Sequence, residues 1–166
     1  MSDCTIDQTG LPMMTIKEIG IIDKLIKEHQ PKRCLEWGSG NSTIYFPNQH
    51  DCIESWLSIE NNGHYKEYLD PKIKHNTEIF WTTDMELYVN YPILEYDFIL
   101  IDGRSRMKCL EVACQQLKRN GIIILHDSGR TEYDLSGYKH KILSEGEIPY
   151  DGGFAHRGLA LIKGKK

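Results

Sequence analysis

The residues able to do chemistry fall into five short clusters: Glu36-Trp37-Gly38-Ser39-Gly40, Glu60-Asn61-Asn62, Thr83-Asp84-Met85, Asp102-Gly103-Arg104 and His126-Asp127-Ser128. Each follows an apolar stretch of strand character. In a parallel sheet, ligands bind just beyond the carboxyl ends of the strands. Acids recur at these ends, an arrangement that a purely structural chain has no need of. Gly38-Ser39-Gly40 offers backbone without a Cβ, so a ligand can approach closely. Glu60 follows the next strand about 20 residues on, the spacing at which an acid accepts from ribose hydroxyls.

Two cofactor chemistries meet this loop. A dinucleotide fold wants glycine or alanine near the helix start, to bring the pyrophosphate close, and this chain has Thr43. Glu36, just before the loop, would repel a pyrophosphate and suits an ammonium group. S-adenosylmethionine (SAM) carries an ammonium and a ribose and no phosphate, so the residues favour it over NAD. A plain alternative is that Glu36 and Glu60 are solvated acids at strand ends.

Buried strands and helices must position these groups. Continuous apolar runs at 97–102 and 122–125 fit strands covered on both faces. Further strands are expected at 33–37, 56–60, 78–82 and 159–162, with a weak one at 142–143. Thr15-Ile16-Lys17-Glu18 reads as a capping box, opening a helix whose Ile16, Ile19, Ile22 and Ile26 share a face, with a stop at Pro31. Helices are also expected at 41–46, 63–69 and 105–119, the last leaving through a left-handed Asn120-Gly121. Residues 1–14 carry no periodicity and read as loosely ordered, with a single domain over 15–166. The alternation predicts a Rossmann-like, doubly wound α/β domain: a mostly parallel sheet with helices on both faces.

Bulk properties narrow the class. The chain has 166 residues, a net charge of −4 and five cysteines (Cys4, Cys34, Cys52, Cys109, Cys114). The odd count without a CxxC pair argues against a disulfide framework or a cysteine zinc site. No basic stripe marks a nucleic-acid binder. No apolar run reaches membrane-spanning length, and no signal peptide is evident, so a cytoplasmic setting is expected.

Leu35-Glu36-Trp37-Gly38-Ser39-Gly40-Asn41-Ser42 resembles motif I of class I SAM-dependent methyltransferases, and Ser58-Ile59-Glu60 resembles their second motif. The segments at 97–103 and 121–127 are similar to the fourth and fifth strands of the small-molecule and sugar O-methyltransferase branch. The resemblance covers roughly residues 30 to 130, and departs from the family at Ser42, where the loop has its third glycine. It implies a SAM-dependent enzyme with Glu36, Gly38, Ser39, Gly40, Asn41 and Ser42 around the methionine end. Glu60 would then hold the ribose, and Asp84 with Met85 the adenine; Asp84 as an ordinary helix cap is the equal alternative.

The reacting end is Asp102, His126 and Asp127. In metal-dependent relatives, acids at matching strand ends hold a divalent cation, which lowers the acceptor hydroxyl pKa; here that would be magnesium on Asp102 and Asp127. Ser128 is a poor third ligand, so a metal-free site is preferred, in which His126 could act as general base; a buried, hydrogen-bonded histidine at a strand end is the favoured plain reading of His126 itself. Arg104, Arg106 and His156 are candidates for holding an anionic small-molecule substrate. The segment 152–158 reads as a glycine-rich loop able to close over substrate, or as a plain hairpin-like connection. No Asn/Asp-Pro-Pro-Tyr or Pro-Cys motif points to N-methylation or cytosine methylation. The short chain leaves little room for a substrate cap, so the cleft is expected either to be open or to be completed by a second copy (a homo-oligomer) or a partner subunit. The rivals are a non-catalytic SAM-binding module, or partner-dependent subunit, and an NAD-binding oxidoreductase.

Overall fold

A computed structural model of the chain describes residues 10–91, 93–150 and 153–166, with side chains from 146 to 157 outside the described set. In chain order the elements are α1 (Ile16–His29), β1 (Arg33–Trp37), α2 (Asn41–Gln49), β2 (Ser55–Glu60), α3 (Gly63–Leu69) and β3 (Thr77–Trp81). There follow α4 (Met85–Asn90), β4 (Tyr96–Ile101), α5 (Arg106–Gln116), β5 (Leu117–His126), β6 (Tyr138–Tyr150) and β7 (Gly153–Lys165). The seven-stranded sheet runs β3-β2-β1-β4-β5-β7-β6. Its first five strands are parallel, and β7 inserts antiparallel between β5 and β6. This is the expected doubly wound sheet, and its order reverses between β1 and β4, where a crevice opens.

The apolar runs at the centre are read out on both faces. Leu35, Ile99, Ile101, Ile123 and Leu125 pack with α4 and α5. Their alternates Cys34, Phe98, Leu100, Ile122 and Ile124 pack with Ile22 and Ile26 of α1 and Phe46 of α2. Burial of these strands on both sides is why their sequences run apolar without alternation. Among the described residues no helix is long and apolar enough to cross a membrane.

Several elements differ from their sequence reading. The Thr15–Glu18 capping box forms, but Ile16 is exposed and Glu18 takes a buried place on the inner face of α1. At the start of the described chain, Leu11 accepts a hydrogen bond from Asn41 Nδ2, and Met14 packs on the core. Helix α2 continues through Pro47 to Gln49. Helix α5 stops at Gln116, and Lys118 to Gly121 already belong to β5. Gly121 is not a left-handed exit; a Cβ there would meet the Tyr96 and Asp97 carbonyls at 3.0 Å, so the glycine serves a close approach to β4. The segment 153–158 is strand, paired with β6 in a long hairpin, and not a loop.

Candidate functional site

The glycine loop leaves β1 through Gly38 at φ +94°, a conformation that L side chains rarely adopt. A Cβ on Gly38 would stand 2.5 Å from Gly103 Cα, and one on Gly103 would meet Gly38 N at 2.8 Å and Cα at 2.9 Å. The loops after β1 and β4 therefore touch backbone to backbone. Gly38 N also donates to Ile59 O, and Asp102 N to Trp37 O. Three strand ends are tied together at the switch point. Gly103 was not singled out from sequence; its signal is a glycine directly after the acid of a buried strand.

Glu60 is the hub of the loop. One carboxylate oxygen accepts from Ser39 N at 2.7 Å, the other from Asn61 N at 2.8 Å and Asn62 N at 2.7 Å. Burial raises its pKa, opposed by these amides. Gly40 N, the other amide of the loop tip, donates to Thr43 Oγ1 at 3.0 Å. Ser39 Oγ pairs with Ser58 Oγ.

Glu36 is fully buried and does not join the cavity wall. It accepts from Ser42 Oγ, Thr43 Oγ1 and Trp56 Nε1. Burial pushes its pKa up to about 7 against those donors. The direct ammonium contact expected of Glu36 is thus replaced by a supporting one: it fixes the first turn of α2 beneath the loop. Asp84 likewise turns inward on its own helix. It accepts from Glu86 N and Leu87 N as the N-cap of α4 and stays off the cavity wall. Met85, one residue on, lies in the wall.

The cavity at these strand ends has a volume of about 760 Å³ and reaches from Met13 and Tyr65 past the glycine loop to Asp102, His126 and Asp127. At its far end four charged groups interlock. His126 Nδ1 stands 2.7 Å from Asp102 Oδ1 and 3.8 Å from Asp127 Oδ1. Arg106 donates through Nε to Gly103 O (2.9 Å) and through Nη1 to His126 O (2.6 Å) and Asp127 Oδ2 (3.0 Å). Its Nη2 reaches Asp102 O and Asp102 Oδ1, each at 3.1 Å. Arg130 Nη2 adds a second cation at 2.9 Å from Asp127 Oδ2. From behind, buried Glu18 of α1 places Oε2 3.8 Å from His126 Nε2, and that nitrogen has no hydrogen-bond partner among the described residues.

This environment fixes the charge on His126. Burial alone would push the imidazole down, but Asp102, Glu18 and Asp127 outweigh it and hold its pKa up to about 9. Asp127 and Glu18 are lowered in return, despite burial that raises both, Glu18 to about 2. A general base must be unprotonated at working pH. Held towards its protonated form in this way, His126 suits the buried, hydrogen-bonded histidine of the plain reading better than a base, and it steadies Asp102. Arg106 borders the cavity, but a partner stands on each of its three nitrogens, so it is committed to the fold rather than to a substrate anion. Arg104 is exposed in the cavity wall, its backbone N–H donating to Tyr88 Oη. The side chain of His156 lies outside the described residues. Glu18, Arg130 and Tyr133 were missed from sequence: Glu18 was explained by its cap, and the other two lie in a segment without periodicity.

The residues fit SAM, with glycines, Glu60 and Met85 in one wall. They do not fit magnesium. Asp102 and Asp127 already carry a guanidinium between them, and a divalent ion would also meet the imidazolium.

No protein-family model matches the sequence, and neither does any curated protein. Solved structures match over nearly the whole chain. One is the O-methyltransferase TomG from Streptomyces achromogenes in complex with SAM, at 15% identity and a TM-score of 0.65, covering 91% of this chain and 82% of that one. The O-methyltransferase from Bacillus cereus in complex with SAH (S-adenosylhomocysteine) matches at 15% and 0.65, covering 92% and 84%. A precorrin-6y C5,15-methyltransferase from Geobacter metallireducens matches at 14% and 0.66, covering 96% and 93%. At such identities the likeness is one of fold: this chain has the Rossmann-like fold of class I SAM-dependent methyltransferases.

Proposed function

We propose that the chain is a SAM-dependent methyltransferase acting on an oxygen of a small molecule or sugar. The observation that carries this is the engagement of the loop amides: Ser39 N is taken by Glu60 and Gly40 N by Thr43. A pyrophosphate needs such amides at the helix start, so the loop is built for a ligand without phosphate. The structural likeness to SAM- and SAH-bound O-methyltransferases supports the same reading.

In this reading Gly38 and Gly40 border the methionine end, Glu60 accepts from the ribose hydroxyls, and Met85 packs on the adenine. Bound SAM supplies an electrophilic sulfonium methyl group. The chain's task is then to align an acceptor oxygen and manage its proton. Asp102 is the acid suited to it. It lines the cavity with its side chain 20% exposed, and its Oδ1 is steadied by His126 and Arg106. Arg104 and the aromatic ring of Tyr133 offer the acceptor a cationic and an apolar contact. Completion of the open cleft by a second copy or a partner subunit belongs to this reading. So does a cytoplasmic setting, in keeping with four free cysteines among the described residues.

Calorimetry tests the cofactor. SAH should bind and NAD should not; tight NAD binding without a response to SAH overturns the assignment. Transfer of labelled methyl from SAM to hydroxyl acceptors then separates an enzyme from a binding module.

A further inference from the structure

We propose that the Arg106 guanidinium is the resident cation of the Asp102–Asp127 pair and closes this site to divalent metal. Two carboxylates and an imidazole at the ends of adjacent strands form the kind of donor set that attracts a metal ion. Ligand atoms of Asp102, His126 and Asp127 all lie within 4.8 Å of one another. Left alone, the two acids would repel, and either a proton or a cation would have to settle the charge.

The fold settles it with a side chain. Ser105, at φ 51° and ψ 36°, turns the chain left-handed just before α5. Arg106, the first residue of the helix, is buried between β4 and β5. There it satisfies three backbone carbonyls, those of Asp102, Gly103 and His126, along with both carboxylates. A planar fork with five donors can do all this at once, and an ammonium cannot. To enter, a divalent ion would have to expel a buried guanidinium and leave three carbonyls without a donor. Arg130, on the same Asp127 Oδ2 that Arg106 holds, opposes a further positive charge there. The acceptor is therefore oriented by protein groups and not gathered on a metal.

The proposal is read by metal binding alone, so it stands or falls separately from the methyltransferase assignment. Mn²⁺ is titrated into the full chain and into Arg106→Ala and Arg106→Gln, by calorimetry and by the loss of free-ion electron paramagnetic resonance signal. Circular dichroism reports folding. The wild type should take up no stoichiometric Mn²⁺. Arg106→Ala should bind one ion, at least about tenfold more tightly than any residual wild-type binding, since a charge in contact has been removed. Arg106→Gln keeps an uncharged donor group with two N–H bonds and more of the side-chain volume, and should bind likewise, which covers the case that the alanine variant does not fold. Adding Asp127→Asn to either variant should abolish the new binding. Stoichiometric Mn²⁺ on the wild type that Asp102→Asn removes would overturn the proposal, as would a folded Arg106→Gln that takes up no ion.

Discussion

Glu60 and Asp84 both follow a strand, and both were expected to touch the cofactor, yet their surroundings separate them. Glu60 accepts three loop amides at the cavity wall, while Asp84 spends its acceptor on its own helix. Charge-assisted hydrogen bonds contribute roughly 1.5–3 kcal/mol each. Glu60→Ala should therefore weaken SAH binding at least tenfold, with the helical signal retained. Asp84→Ala should lower the melting temperature, by the ~1 kcal/mol of a lost N-cap, and leave SAH affinity within about twofold. Calorimetry on both variants checks the contrast; equal losses would return Asp84 to the ligand. Sequence alone could not rank the two acids, because an N-cap and an adenine contact use the same residue type at the same strand end. Glu36 shows the same limit: its position was legible, but whether the carboxylate pointed up to the ligand or down to Ser42, Thr43 and Trp56 was not. His126 ends β5, the position its sequence context gives it. Its charge depends first on Asp102 at the neighbouring strand end, and also on Glu18, more than a hundred residues earlier, which no local pattern reports.

At the level of elements, the parallel strands and α1 were legible because each has its own signal, a doubly buried apolar run or a capping box. The strand order and the β6–β7 hairpin were less so, since Tyr138 to Tyr150 mixes charged and apolar residues on a partly exposed edge. Short α4 has too few residues for a period to show. The contact between the β1 and β4 loops is also invisible locally, because it joins Gly38 and Gly103 across the switch point. It predicts that Gly103→Ala is costly despite its size. The added Cβ meets Gly38 backbone, which cannot rotate away, and overpacking of this kind costs about 1–3 kcal/mol. Thermal unfolding should show the loss, and SAH affinity should fall with it, because the displaced segment is the glycine loop. The same substitution at Gly20, where a Cβ meets nothing within 4 Å, should be neutral or stabilising.

For the whole molecule, buried titratable groups set a pH dependence of stability. His126 binds its proton more tightly folded than unfolded. Its contribution is complete below about 6.5 and disappears as the pH rises through about 9. Glu36, raised to about 7, favours the fold while protonated and loses that advantage between about 4.5 and 7. Glu18 and Asp127 are lowered, so they stabilise above the ordinary carboxylate range and lose that contribution on acidification, Glu18 as the pH falls towards about 2. Stability should peak in mildly acidic solution, and from neutral pH towards pH 9.5 it should decline by on the order of 3 kcal/mol, the His126 shift at 1.36 kcal/mol per unit. His126→Gln should flatten the alkaline arm of a melting-temperature profile; an unchanged arm would remove His126 as its cause. Glu18 has a further consequence, for the order of assembly. Its helix is made before β5 and β6, but Oε1 waits for Ser144, 126 residues later, and Oε2 faces His126. Until β5 and β6 have been made, the carboxylate has only Thr15 to hold it. The nascent chain thus carries an amphipathic helix whose inner face cannot yet be sealed. Docking of α1, and with it the closing of the cavity wall at Met13, belongs to the last, long-range stage of folding. Protection of the α1 amides in pulsed hydrogen exchange should accordingly appear with that of β7, and not with that of β1 and β4.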